Sequence, residues 1–154
     1  MSFHSRTIID DPNVPPSADE ERGRAALGLR WLWASPYSAF AFVIGMLGIL
    51  SGGRGRRVGH ALEFYGGFTQ WCIAHLPTGP TTLAITLGHV ILGQTDASLD
   101  IARRHEWVHV RQYERWGPLF GPAYFGASVW LWLRGRDHYR ENPFEREAYR
   151  LEDI

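Results

Sequence analysis

The chain has 154 residues, 45% of them apolar, and its sixteen basic side chains balance sixteen acidic ones. This length suits about one average domain, and the balanced charge favours neither nucleic acid nor an acidic partner. All sixteen basic residues are arginine, which excludes a lysine nucleophile or Schiff base, and the single cysteine, Cys72, excludes an intrachain disulfide and most thiolate zinc sites.

Residues 1–30 are polar and are predicted to form a leader ahead of the folded part. The stretch from Asp10 to Pro16 is rich in proline and acidic residues, which is typical of flexible chain, whereas Ala18 to Arg30 favours a short charged helix. We do not expect the leader to be a secretory signal peptide, because its apolar stretch begins too late.

Residues 31–53 carry no charge, and the part from Ala39 to Leu50 is apolar on every face. The uncharged run from residue 31 to residue 50 is just long enough to cross a bilayer of about 30 Å at a rise of about 1.5 Å per residue. Arg54, Arg56 and Arg57 follow, and a basic flank favours the cytoplasmic side. We predict a hydrophobic helix that is a candidate membrane anchor; a fully buried helix is the alternative.

The segment from Gly59 to Thr95 contains predicted strands. Leu62–Tyr65 indicates a strand, and residues 81–92 indicate a hairpin with a turn at Gly88 and His89. Together they predict a small sheet, whose edge strand can hold an extended peptide by main-chain pairing. His89 is an alternative metal ligand, although a histidine in a turn is more often exposed.

A helix is predicted to follow the hairpin and to end before Gly117. Asp96 or Ser98 is available as its N-cap, and no glycine or proline interrupts it before Gly117. The expected length is about 18 residues, which is ordinary for a helix in a globular domain.

This helix carries the most informative pattern in the chain, His-Glu-x-x-His. His105 and His109 are four residues apart, so they share one helix face and can bind the same metal ion. Glu106 follows the first histidine, where a carboxylate serves as general base in zinc hydrolases with this spacing. The alternative is two ordinary polar histidines on an amphipathic helix.

Residues 116–133 form a second uncharged run that is predicted to fold back along the motif helix. Glycine and proline pairs at 117–118 and 121–122 allow the chain to reverse, and residues 122–133 are long enough to return. We expect this helix not to cross a membrane. Its large apolar side chains are assigned to core or membrane-surface packing: Tyr124, Phe125, Val129, Trp130 and Trp132.

A last helix is predicted to begin at residue 143. Asn142 is a good N-cap, and Pro143 suits the first helical position. Glu145 is then the third residue of the helix, where a glutamate commonly caps the preceding backbone. Metal binding and capping are therefore both open for Glu145 on the residues alone.

The stretch from His105 to Pro118, followed by residues 142–149, resembles a family of short, mostly uncharacterised bacterial proteins. More distantly, both motifs are similar to those of gluzincin metallopeptidases, including membrane-embedded ones, whose third zinc ligand is a glutamate in a Glu-x-x-Ala pattern on a later helix. That pattern falls on Glu145 and Ala148 here. The resemblance thus implies Zn²⁺ bound by His105, His109 and Glu145.

One position departs from this resemblance. Membrane gluzincins usually follow the alanine with an aspartate that steadies a ligand histidine, whereas this chain has Tyr149. A hydrolase of this kind also needs a donor for the developing oxyanion. The side chains close to Glu145 in sequence that can donate are His138, Tyr139, Tyr149 and Arg150.

We therefore expect an α+β, zincin-like domain over residues 54–154, with a short β-sheet, the motif helix, an apolar return helix and a third-ligand helix. Its expected function is a zinc-dependent peptidase in which Glu106 takes a proton from a zinc-activated water that attacks a peptide or protein substrate. Hydrolysis of a non-peptide amide or ester would use the same residues. The alternative from another class is a membrane-associated structural or accessory protein with a non-catalytic metal site. The expected location is the inner membrane, with the metal site facing the cytoplasm; a cytoplasmic protein is the alternative.

Overall fold

A computed structural model of the protein describes residue 23 and residues 28–76 and 81–152, so the predicted leader lies largely outside the described residues. Residues 28–33 are helical. The elements that follow are helix α1 (Ser35–Leu50), strands β1 (Arg54–Val58) and β2 (Ala61–Tyr65), helix α2 (Gly67–Ala74), strands β3 (Ala84–Leu87) and β4 (Val90–Gly93), and helices α3 (Asp96–Trp116), α4 (Phe120–Leu133) and α5 (Pro143–Glu152).

The four strands form one mixed sheet in the order β1-β2-β4-β3. Each hairpin is antiparallel, and the sheet is joined at its centre by the parallel pairing of β2 with β4. The predicted strand over Leu62–Tyr65 and the predicted hairpin over residues 81–92 are confirmed, as is the α+β class. Strand β3 lies at one edge of the sheet.

Helices cover both faces of the sheet. The apolar side chains of β2 alternate, so that Phe64 packs toward α1 and α2 while Ala61 packs toward α3. Ile73 of α2 closes the first core, and Leu99 and Val110 of α3 close the second. Helix α3 is therefore fixed along its length against the sheet.

Helix α1 turns its small residues inward and much of its apolar surface outward. Its buried residues are Ser38, Ala41, Gly45 and Gly48, and the ring of Phe64 packs where Gly45 has no side chain. Within residues 28–76 and 81–152, no helix is both long and apolar enough to cross a membrane. The predicted hydrophobic helix over residues 31–53 is divided, because a turn at Ala34 separates the helical residues 28–33 from α1, which has 16 residues.

Helix α3 is longer than predicted and begins at a different cap. Thr95, rather than Asp96 or Ser98, is the N-cap: its hydroxyl accepts a hydrogen bond from the Ser98 backbone, and the Ser98 side chain reciprocates. The helix runs for 21 residues and ends at Gly117, whose φ of 54° favours glycine.

The chain reverses after α3 at Gly117 and Pro118, as predicted, whereas Gly121 and Pro122 lie in the first turn of α4 rather than in a turn of their own. A short 3₁₀ turn, Gly117–Leu119, joins α3 to α4. Tyr113 of α3, Phe120 of α4 and Phe144 of α5 form a third buried cluster, which joins the three helices. This cluster holds the start of α5 against α3.

The arginines expected to flank a membrane instead belong to strand β1, and one of them forms ion pairs. Arg56 lies 2.7 Å from the fully buried carboxylate of Glu63, which Arg103 of α3 contacts at 2.8 Å. Burial alone would raise the pKa of Glu63, but both arginines lower it below its ordinary value. This ion-pair cluster joins the sheet to α3.

Replacing Glu63 with glutamine should destabilise the protein by about 3 kcal/mol, because two partly buried guanidinium groups would lose their charged partner. Asp100→Asn is the matched control, since Asp100 contacts the same two arginines at the exposed rim of the cluster. Chemical denaturation of both variants measures the effect. Equal stabilities for the two variants would contradict the structural role given to Glu63.

Candidate metal centre

Three side chains from two helices converge beside the sheet. Nε2 of His105 lies 3.2 Å from Nε2 of His109, and the Glu145 carboxylate lies 3.1 Å from the first ring and 3.4 Å from the second. Glu145 is only 2% exposed, and His109 is buried too. The three residues implied by the resemblance are thus brought together.

The spacing of these donor atoms fits a small tetrahedral ion. Zinc binds imidazole nitrogen and carboxylate oxygen at about 2.0–2.1 Å, so two ligands of a tetrahedral site are separated by about 3.3 Å. The three separations given above, between 3.1 and 3.4 Å, surround that value. Two imidazoles and one carboxylate are also a donor set that suits Zn²⁺ among the divalent ions.

Gln112 controls which nitrogen of His109 is free to bind. The Gln112 amide nitrogen donates to the Phe144 carbonyl at 3.0 Å and to the Glu147 carboxylate at 2.9 Å, so its oxygen must face His109. That oxygen lies 2.8 Å from Nδ1 of His109. Nδ1 therefore carries a hydrogen, and whenever the ring is neutral its Nε2 lone pair points toward His105 and Glu145.

Gln112 was missed at the level of sequence, although the signal was present. It lies three residues after His109, and residues three apart are neighbours on a helix surface. Membrane gluzincins use an aspartate to steady a ligand histidine, and this chain has Tyr149 at that aspartate's position. Gln112 supplies the supporting hydrogen bond instead. The Tyr149 ring instead packs on the His105 ring at 4.8 Å between centroids.

Glu145 is held by its own helix and by α4. Asn142 accepts a hydrogen bond from the Phe144 backbone, so the predicted cap before Pro143 is confirmed. The Glu145 carboxylate faces the histidines and also accepts a 2.6 Å hydrogen bond from the Tyr124 hydroxyl. Tyr124, assigned from sequence to packing alone, is therefore a polar partner of this centre.

Charge and burial act in opposite directions on these groups. Burial would raise the pKa of Glu145, but the hydrogen bonds with His105, His109 and Tyr124 lower it far below its ordinary value. Burial would lower the pKa of His109, whereas Glu145 and Glu106 raise it. The centre thus favours an ionised carboxylate together with a cation, which can be a proton or a metal ion.

Glu106 lies one residue from His105 and is 6% exposed. Its carboxylate accepts a 2.7 Å hydrogen bond from the hydroxyl of Thr86 on the edge strand β3. Burial raises the pKa of Glu106 and outweighs the opposing effects of His109 and Thr86. A carboxylate with a raised pKa beside a metal site has the property expected of a general base.

The candidate oxyanion donors differ in their positions. Tyr149 packs on His105 and, with Arg140, lines a cavity of about 300 Å³. Burial, followed by a hydrogen bond with Tyr149, raises the pKa of Tyr139, so this hydroxyl stays protonated. His138 and Arg150 are exposed. Tyr139 and Tyr149 are exposed as well, but among these four candidates they are the two linked to the centre: Tyr149 contacts His105, and Tyr139 is hydrogen-bonded to Tyr149.

His89, the alternative third ligand, does not join this centre. It is fully buried rather than exposed in its turn, and it contacts Glu114 instead.

Comparison of the chain with protein-family models, curated proteins and solved structures gave no match.

The geometry predicts a graded loss of metal affinity. Gln112→Met should weaken zinc binding by about 10- to 100-fold, as expected when a ligand histidine loses its orienting hydrogen bond. Glu145→Gln should weaken it more, because a ligand atom itself is replaced. Titration of the metal-free protein with zinc in competition with a chromophoric chelator measures both affinities.

Glu141→Gln is the control for this series, because Glu141 lies just before α5 and pairs with Arg136. Its zinc affinity should match that of the wild type. If Glu145→Gln binds zinc as tightly as Glu141→Gln does, Glu145 is not a ligand.

Proposed function

We propose that the protein is a zinc-dependent peptidase of the gluzincin type, with His105, His109 and Glu145 as ligands. The observation that carries the proposal is the orientation of His109. Gln112 fixes the Nε2 lone pair toward a second imidazole and a buried carboxylate, an arrangement that a bound cation stabilises. A zincin-like arrangement of sheet and motif helix is part of the same proposal.

A zinc ion held there would supply Lewis acidity toward water and toward a substrate carbonyl. The protein's own groups do the rest. Glu106, within the same buried region, takes the proton from the attacking water and returns it to the leaving amine. Tyr124 keeps the Glu145 carboxylate in place, and Tyr149 or Tyr139 donates a hydrogen bond to the developing oxyanion.

The edge strand supports a peptide as the substrate. Strand β3 is at the edge of the sheet, and its Thr86 contacts the proposed base. An extended peptide paired with β3 through main-chain hydrogen bonds would therefore run past Glu106. Recognition of this kind depends on the peptide backbone more than on its side chains.

The alternative is an accessory protein whose zinc stabilises the fold without turnover. Structural zinc sites are usually closed by four protein ligands. Among the described residues, the group around Glu145 that could hold a metal contains three His, Cys, Asp or Glu side chains. This number favours an open position and therefore the catalytic proposal.

Glu106→Gln separates the two functions. The variant should keep its zinc, because Glu106 is not a ligand, and should lose about 10²- to 10⁴-fold in hydrolysis rate, because a general base is removed. Zinc content by elemental analysis and cleavage of a quenched fluorescent peptide library measure the two properties. Cleavage by Glu106→Gln at the wild-type rate would show that Glu106 is not the base.

We also propose that the protein associates with a membrane surface through α4. The exposed side chains Phe125, Val129, Trp132 and Leu133 recur at the spacing of one helix face, and the exposed Arg134 follows them. An apolar stripe that ends in basic residues suits the surface of an anionic bilayer. This proposal concerns binding to a surface and requires no membrane-spanning helix.

Replacing both Phe125 and Trp132 with serine should weaken binding to phosphatidylglycerol-containing vesicles by about tenfold or more, because two large apolar side chains are lost. Ile101→Ser is the control, since Ile101 is equally exposed but lies on α3. Vesicle sedimentation measures the bound fraction. A wild-type chain that stays in the supernatant would refute membrane binding.

A further inference from the structure

A second cluster of metal-ligating side chains lies at the turns of the two hairpins. His60 follows Gly59 directly before β2, and His89 follows Gly88 directly before β4. Both glycines have positive φ, 56° and 65°, as the turns require. Because β2 and β4 are adjacent and parallel, the two Gly-His turns are placed side by side at one end of the sheet.

Glu114 of α3 reaches both histidines. Its Oε1 atom lies 2.8 Å from Nε2 of His60 and 3.2 Å from Nε2 of His89. The ligating atoms of all three residues lie within 4.8 Å of one another. They form the same donor set as the first centre, two imidazoles and one carboxylate.

Hydrogen bonding alone does not account for this cluster. Nε2 of His60 is buried and finds no hydrogen-bond partner among the described residues, although it lies 2.8 Å from Glu114. Its ring is therefore not aligned for an N–H bond to that oxygen. A metal ion bound by both residues need not lie on the line between Nε2 of His60 and the Glu114 oxygen. It can therefore bind the Nε2 lone pair in a geometry that does not allow a hydrogen bond.

The surroundings suit a bound ion. Trp31 stacks on the His89 ring at 4.5 Å, and Trp107 packs edge-on against His60 at 4.9 Å, so aromatic walls limit water on two sides. Ser38 is not one of the proposed ligands. Its hydroxyl accepts a hydrogen bond from the His89 backbone N–H and so fixes the turn. The side chain of His60 remains 30% exposed, which leaves a route of entry.

We propose that His60, His89 and Glu114 form a second binding site for a divalent transition-metal ion of the zinc class. An ion there would tie α3 to both hairpin turns, and α3 also carries His105 and His109. The proposal is independent of the peptidase assignment, because it shares no ligand with the first centre.

Zinc content per chain tests the proposal. The full-length protein is loaded with zinc, dialysed and analysed for metal, with circular dichroism as the check on folding. We expect two zinc ions per chain in the wild type. Each of the single variants His60→Ala, Glu114→Gln and His109→Ala should hold one, and the double variant His60→Ala/His109→Ala should hold none. His75→Ala replaces an exposed histidine outside both clusters and should retain two.

The outcomes separate the two sites. Loss of one zinc in both His60→Ala and Glu114→Gln establishes the second site, whatever happens at His109. A zinc content that equals the wild type in folded His60→Ala and Glu114→Gln overturns it. Failure of the first site would appear differently, as an unchanged zinc content in His109→Ala.

Discussion

The buried carboxylate of Glu145, placed between the imidazoles of His105 and His109, is the contact on which the arrangement of the C-terminal half depends. It requires α5 to lie against α3, and the intervening chain must reverse at Gly117 and return through α4. The aromatic cluster of Tyr113, Phe120 and Phe144 supplies the apolar contact that holds these helices together. The centre therefore rests on rigid elements rather than on loops.

Such a concentration of polar groups is costly for a small domain. Glu106 and Glu145 are both nearly inaccessible to water, and transferring an unpaired charge to such a place costs several kcal/mol. A bound divalent cation would offset much of this cost, since binding only to the folded chain adds to its stability. The free-energy cost of burying these carboxylates is therefore consistent with a functional site, whereas packing alone does not explain it. By contrast, Glu63 pairs with two arginines and is explained by structure alone.

The parts of the fold that depend on local chemistry were predictable from sequence. The cap at Asn142, the hairpin turn at Gly88 and the reversal at Gly117 all follow from residues whose backbone preferences are strong. The shared face of His105 and His109 follows from helix periodicity. Glu145 was found only through a resemblance, because nothing local distinguishes a ligand from a capping glutamate.

Features that depend on tertiary contacts were missed. Residues 31–50 look membrane-spanning because they are uncharged and largely apolar, whereas in the fold a turn at Ala34 divides them and Gly45 lets the Phe64 ring approach α1. Arg56 looked like a membrane flank because its partner, Glu63, is met only across a strand pair. The meeting of His60 with His89 needs the parallel pairing of β2 with β4, which a single sequence does not indicate.

The most direct test of the metal centre is an anomalous difference map of zinc-loaded crystals, measured at the zinc absorption edge. We expect a zinc peak between His105 Nε2, His109 Nε2 and the Glu145 carboxylate, about 2.0–2.2 Å from each ligand atom. A solvent molecule should be the remaining ligand. The absence of a peak at these three residues after zinc loading, or a fourth protein ligand closing the site, would contradict a catalytic zinc centre.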